Sequence, residues 1–202
     1  MSAEKKSGLI LGFIILVEGW WFVVNLAFNG GRFFHYLGFS PGRSGPPVGW
    51  WAAAVVTMIF VGFACRLPSV RANLFRPSLL KVLAIGVAIT AGTLEEVVFR
   101  KWVMDWLQSN GWGNGVQILG SALSFGVVHA IWGLMGKSVR AAAGAMFATT
   151  FLGGMLAIVY LLAARSLAPC IAAHFLINVL IEPGLVLAAT RGEMGSTNST
   201  RP

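Results

Sequence analysis

Charge is scarce in this chain. Only 11% of its 202 residues are Asp, Glu, Lys or Arg, while 56% are hydrophobic; soluble domains average about 25% and 45–50%. With a mean hydropathy of +0.76, an ordinary soluble fold is excluded and an integral membrane protein is implied. Aspartate is scarcer still. Asp105 is the single one, so an intramembrane protease built on two catalytic aspartates is impossible. Cysteine is limited to Cys65 and Cys170, both inside apolar runs, with no Cys-x-x-Cys and no disulfide framework. Each reads as a small buried hydrophobe, although Cys170 and His174, four apart, leave a thiol or metal pair open. There is no His-Glu-x-x-His and no Gly-x-Ser-x-Gly, and Ser124 has no nucleophile context. The net charge of +8 is no signature of nucleic acid. Its lysines and arginines are scattered between apolar runs, as topology-setting loop residues are. No segment reads as a cleavable signal peptide.

What is present is a series of apolar runs long enough to span a roughly 30 Å hydrocarbon core. They predict spans at residues 8–28, 48–65, 79–107, 116–136, 141–164 and 168–189. The fold class expected is an all-α, polytopic membrane helical bundle of about six transmembrane helices. A single domain covers 1–202, with a catalytic core at about 79–189. Between the spans, 29–47 reads as a Gly/Pro/Ser-rich loop, with His35 solvated or at headgroup level. Residues 66–78 carry Arg66, Arg71 and Arg76; 109–115 and 137–140 are turns, and the tail from Arg191 is polar. Lys81 is expected to snorkel. Gly144, Gly153 and Gly154 are expected to permit close helix packing in the fifth span, and Pro183 to kink the sixth. Alternating the faces puts ten basic residues on the side of Lys5 and Lys6. It leaves five, Arg32, Arg43, Arg100, Lys101 and Arg165, on the other. Both termini are therefore expected in the cytoplasm, and the chain in the cell (inner) membrane.

Within this apolar background a few polar side chains stand out. Glu95 and Glu96 end the third apolar run, where ionised groups are expensive and usually functional. On a helix Glu96 pairs with Arg100 at i, i+4. Glu95 points about 100° away around the axis and is left free for chemistry; the competing reading is a solvated, idle interfacial pair. Two of the three histidines lie in spans. His129 follows Phe125 by one turn, and His174 precedes Asn178 by one turn on the same face. Glu18 sits mid-span in the first helix, with Asn25 two turns on. A glutamate, two histidines and an asparagine on three spans supply a general base, polarising donors and an oxyanion site, the needs of amide hydrolysis.

Taken in order, Glu95-Glu96-Val97-Val98-Phe99-Arg100, Phe125-x-x-x-His129 and His174-x-x-x-Asn178 resemble the CPBP family. These are the CAAX prenyl protease and bacteriocin-processing intramembrane proteases, also called Abi proteins. The resemblance spans residues 79–189 and implies a helical membrane bundle with glutamate-dependent peptide hydrolysis. It implies that Glu95 and His129 activate water, that His174 and Asn178 stabilise the oxyanion, and that Glu96 and Arg100 hold the site together. Many relatives have eight spans where six are expected here. The resemblance implies no cofactor; its alternative is a catalytic zinc on Glu95, His129 and His174. The implied partners are the lipid bilayer and a membrane-anchored or lipid-modified protein substrate, cleaved near a prenylated cysteine or at a C-terminal sorting tag. Competing readings are a non-catalytic immunity or binding protein, and a small transporter coupling protons through Glu18, Glu95 and Glu96. A transporter would favour internal repeats, and none is visible.

Overall fold

A computed structural model describes residues 1–131 and 139–193, and among them the only regular elements are helices. They are α1 (Ala3–Leu37), α2 (Pro47–Ala64), α3 (Pro68–Asn73), α4 (Leu79–Glu96), α5 (Asp105–Ser109), α6 (Asn114–His129), α7 (Val139–Leu162) and α8 (Ala168–Thr190). A π-helical segment, Val97–Met104, joins α4 to α5, so that Leu79–Ser109 runs on for 31 residues. Among the described residues, five helices are long and apolar enough to cross a membrane: Ala3–Leu37, Pro47–Ala64, Leu79–Ser109, Val139–Leu162 and Ala168–Thr190. The remaining expected span, 116–136, begins as α6, and its residues 132–136 lie outside the described ones. So do Lys137 and Ser138 of the expected basic turn, whereas Val139 and Arg140 already belong to α7. The polytopic helical bundle read from hydropathy is the observed fold.

Local chemistry sets the helix ends. The Ser2 hydroxyl accepts from the Lys5 N–H at 3.3 Å, and the Ser78 hydroxyl accepts from the Lys81 N–H at 3.2 Å. Each caps a first-turn N–H, and the Lys81 N–H is shared with the Ser78 carbonyl at 3.0 Å. Pro47 and Pro169 occupy first turns, where a missing N–H costs nothing. Residues 29–37 differ from the loop expected there. They stay helical, after a break at Gly30 with φ 37° and ψ −112°, a conformation glycine adopts without a Cβ clash. Twelve residues of straight helix span about 18 Å, yet the Trp21 and Phe33 ring centroids are 5.5 Å apart. The chain therefore folds back at Gly30, and burial of Phe33 against Trp21 and Phe22 holds it there.

The helices alternate in direction. α1 runs parallel to α4, with Gly8 beside Leu80 and Leu83 and Gly19 beside Thr90. α6 and α8 run antiparallel to α4, α6 stacking Phe125 edge-on against Phe99 at 5.1 Å. α6 also lies against α7, so closely that a Cβ on Gly126 would collide with Thr150 and the Met146 carbonyl. From the α7 side Gly153 and Gly154 meet Ala122 and Phe125 as expected, but Gly144 faces open space.

Two polar arrangements brace opposite ends of the bundle. Pro183 in α8 has no N–H to give the Val179 carbonyl one turn back. The Lys81 ammonium supplies the donor, reaching Val179 O at 2.7 Å, Leu74 O at 2.9 Å and Leu180 O at 3.3 Å. Lys81 thus bonds into the bundle rather than snorkelling out of it. At the other end, Arg165 donates to Asp105 Oδ1 at 2.6 Å and to Gln117 Oε1, while Tyr160 donates its hydroxyl to Asp105 at 3.1 Å. That cluster ties the ends of α5, α6, α7 and α8 at one level.

Candidate active site

The site is built where α4 ends, from side chains that α4, α6 and α8 bring to the same depth. Glu96 is fully buried, and its two carboxylate oxygens have separate partners. Oε1 accepts from His174 Nδ1 at 2.7 Å, and Oε2 lies 2.9 Å from Arg100 Nε. The second contact is a close charge pair bent away from hydrogen-bond geometry, since neither atom has an aligned partner. Arg100, equally buried, has Nη2 3.5 Å from the Gly153 carbonyl and its guanidinium over the Phe125 ring at 5.0 Å. A buried charge is tolerable only when paired and hydrogen-bonded, and Glu96 meets both conditions. The expected Glu96–Arg100 pair is present.

Glu95, the neighbouring residue, faces elsewhere. Its Oε1 lies 3.9 Å from His129 Nε2 and its Oε2 lies 3.4 Å from His174 Nε2. Both rings are anchored through their other nitrogen. His129 Nδ1 sits 2.7 Å from the Phe125 carbonyl, which can only accept, so that nitrogen carries the proton. His174 Nδ1 is fixed in the same way by Glu96. The two Nε2 atoms therefore converge on the two oxygens of one carboxylate. Phe125 packs against both rings, with centroids 4.4 Å from His129 and 5.8 Å from His174. Glu95 and His129 keep 21% and 16% of their side-chain surface open, against 3% for His174, so the gap between the first two is the accessible part of the site.

Asn178 lies one turn beyond His174, beside Gly92. A Cβ at Gly92 would come 3.7 Å from Asn178 Nδ2 and 3.9 Å from the His174 ring. The missing side chain leaves that space free, and the Asn178 amide has no hydrogen-bond partner among the described residues. All six residues singled out from sequence are thus brought together. His35 is not among them and is exposed near the end of α1. The Cys170 thiol is buried and donates to the Leu156 carbonyl at 3.5 Å, which removes it from a reactive pair with His174. The Ser124 hydroxyl is spent on the Gly120 and Ser121 carbonyls.

Residues 77–180 match the family model described as type II CAAX prenyl endopeptidase Rce1-like. The chain belongs to that family. Membership makes the general class of the protein a membrane-embedded endopeptidase. No curated protein and no solved structure gives a significant match. The stretch matched to the family contains Glu95, Glu96, Arg100, His129, His174 and Asn178, and stops short of Glu18 and Glu182.

Glu182 escaped the sequence reading. It stands four residues after Asn178 and eight after His174 on the same face of α8, and with Glu18 of α1 it lies within charge–charge range of Glu95. Its i+4 relation to Asn178 was the available signal. The donor set also bears on zinc. Among the described residues no group of three or more His, Cys, Asp or Glu forms a ready-made metal cluster. The His–Glu95 separations of 3.4 and 3.9 Å are nonetheless near the edge of a tetrahedron with bonds of about 2.0–2.1 Å, roughly 3.3–3.4 Å. The two contacts run to different oxygens of the carboxylate, so the three side chains would have to rearrange to share one ion.

Proposed function

We propose that the chain hydrolyses a peptide bond in a membrane-anchored or lipid-modified protein, using water activated by Glu95 and His129. The observation that supports this is the convergence of two anchored imidazoles on the Glu95 carboxylate. The 3.9 Å gap between Glu95 and His129 is too long for a direct hydrogen bond and suits a bridging water. Glu95 accepts a proton from that water as it attacks the scissile carbonyl, and His129 orients it; the C–N bond then breaks as Glu95 returns the proton to the leaving amine. His174, with Nδ1–H given to Glu96, presents Nε2–H in its protonated form. Together with the unpartnered Asn178 amide it faces the space beside Gly92 and stabilises the tetrahedral oxyanion. Glu96 and Arg100 fix His174 in place and are positioning residues.

The decisive measurement is cleavage of a purified prenylated or tag-bearing peptide by Glu95→Gln. The amide keeps the shape but cannot take the proton, so turnover is expected to fall about 10²–10⁴-fold while the protein still accumulates in the membrane. Wild-type cleavage by that variant overturns the assignment.

A zinc-dependent version of the same reaction is favoured by one observation. Both histidines present Nε2 inward with Nδ1 anchored to an oxygen acceptor, the arrangement usual for metal-ligating histidines. Glu95, His129 and His174 would hold the ion, whose contribution would be to acidify a bound water. Full turnover in a preparation verified as metal-free excludes this version, and loss restored by zinc establishes it.

A further inference from the structure

At the end of the bundle marked by Asp105 and Arg165 there is a second concave site. A cavity of about 360 Å³ opens there between the last turn of α1, the 38–46 loop, Lys101 and the turn joining α7 to α8. Three cations line it, Arg43, Lys101 and Arg165, and no acid is among its lining residues. Asp105 lies behind them and pairs with Arg165 at 2.6 Å and Lys101 at 3.7 Å. The four groups together keep a surplus of two positive charges.

The loop adds donors. The carbonyls of Arg43 and Ser44 are both occupied, accepting from the Ser166 hydroxyl at 2.7 Å and the Trp50 indole N–H at 2.9 Å. The N–H groups of Gly42, Ser44 and Gly45 have no acceptor among the described residues. Close packing of Gly38 on Ser166 and of Gly45 on the Ala163 carbonyl holds the loop in this form. A cationic hollow with fixed, unmatched backbone donors is an anion receptor.

We propose that this cavity binds the phosphate of an anionic phospholipid headgroup. The depth of the site selects a lipid. Exposed Trp50, Trp102, Trp106 and Trp112 ring this end of the bundle, and tryptophans of that kind mark the headgroup level. Arg43, Lys101 and Arg165 are three of the four exposed or half-buried cations expected on this face, Arg32 being the other. They are gathered in one hollow rather than scattered. Basic pockets between membrane helices on the cytoplasmic side hold such headgroups, and the same charge complementarity applies at the outer headgroup level. A substrate's terminal carboxylate fits less well. None of Glu95, His129, His174 or Asn178 lines the cavity, and Lys101 turns away from Glu95 toward the Tyr36 ring.

The test uses the full chain, stripped of lipid in a neutral detergent. Thermal unfolding is followed with short-chain phosphatidylglycerol, with phosphatidylcholine of the same chain length, and with sodium phosphate. Phosphatidylglycerol is expected to raise the midpoint by about 2–4 °C over phosphatidylcholine. The difference is expected to vanish in Arg43→Gln/Lys101→Gln and to persist in Arg66→Gln/Arg71→Gln, at the opposite end. Arg43→Gln alone, at an exposed side chain, is expected to reduce it if the double variant folds poorly. Native mass spectrometry is expected to show phosphatidylglycerol retained by the wild type and lost from Arg43→Gln. Equal midpoints in the two lipids, or a difference that survives Arg43→Gln, overturns the proposal. So does an equal effect of sodium phosphate, which would make the ligand a free anion. Displacement of the lipid by a peptide with a free carboxylate but not by its amide would assign the cavity to substrate instead, and also overturns it.

Discussion

Glu96 illustrates how tightly the proposed chemistry is bound to stability at single residues. One oxygen holds His174 and the other faces Arg100, so its replacement disturbs both. Glu96→Gln or Arg100→Ala strands a buried charge and is expected to cost about 3–5 kcal/mol, read as lost yield and a lower unfolding midpoint. The double change is expected to cost clearly less than the sum; additivity in a double-mutant cycle would show that the two are not partners. Asn178→Ala carries a different expectation: kcat lower by about 10²–10³ with little change in abundance, as for loss of one oxyanion donor, whereas His174→Ala is expected to add to that loss a lower unfolding midpoint, because it removes the hydrogen bond to buried Glu96. These residues were legible in the sequence because charge is so rare in it that each polar side chain in a span had to be accounted for. Glu182 was missed although the same rule covers it. Glu182 stands directly before the Pro183-Gly184 pair, which reads as a helix break, so the local pattern does not mark its carboxylate as part of a continuous helix face.

At the scale of elements, Lys81 and Pro183 form a pair separated by about a hundred residues of sequence. The proline removes an N–H from α8 and the lysine of α4 replaces it at Val179 O. Lys81→Met is therefore expected to destabilise the protein by about 1–3 kcal/mol, the usual cost of an unsatisfied buried acceptor. In a Pro183→Ala background the restored N–H takes over that carbonyl. The penalty is then expected to shrink by about 1 kcal/mol, measured by denaturant titration in detergent; an unchanged penalty would mean that the lysine acts elsewhere. None of this was visible in hydropathy, which sees Lys81 only as a charge near a span's end. The turn at Gly30 was hidden for a related reason. Asn-Gly-Gly reads as the start of a loop, and the return of Phe33 onto Trp21 and Phe22 is a tertiary contact that no local pattern encodes. Span positions were legible because the bilayer imposes their length.

Across the whole molecule, the proposed orientation puts both termini and α3 in the cytoplasm and the 38–46 loop on the outer side. A background with Cys65→Ala and Cys170→Ala allows single cysteines to report it. Ser44→Cys is expected to react with an impermeant thiol reagent from outside, and Arg71→Cys only from the cytoplasmic side. The reverse pattern would turn the enzyme toward cytoplasmic substrates. The Asp105–Arg165–Gln117 cluster then has a consequence for how a substrate is chosen. Counting along α-helix at 1.5 Å per residue, His129 lies about 18 Å from Gln117 and His174 about 9 Å from Ala168 at the start of α8, while the π-helical turns between Glu95 and Asp105 make that stretch shorter than about 15 Å. Gln117 is held at the level of Arg165, and Glu95 lies within 3.9 Å of both imidazoles, so the three proposed catalytic side chains share one depth. An extended peptide covers that depth in about three to five residues. On the proposed mechanism such a site would act as a ruler, cutting at a fixed distance below the surface rather than at a fixed letter of sequence. Lengthening a substrate by two residues between its surface-held segment and the cleaved bond is expected to move the cut two residues toward the surface-held side. Mass spectrometry of the products gives the answer, and a cut that stays with its original residue pair would mean that side chains, not depth, are read.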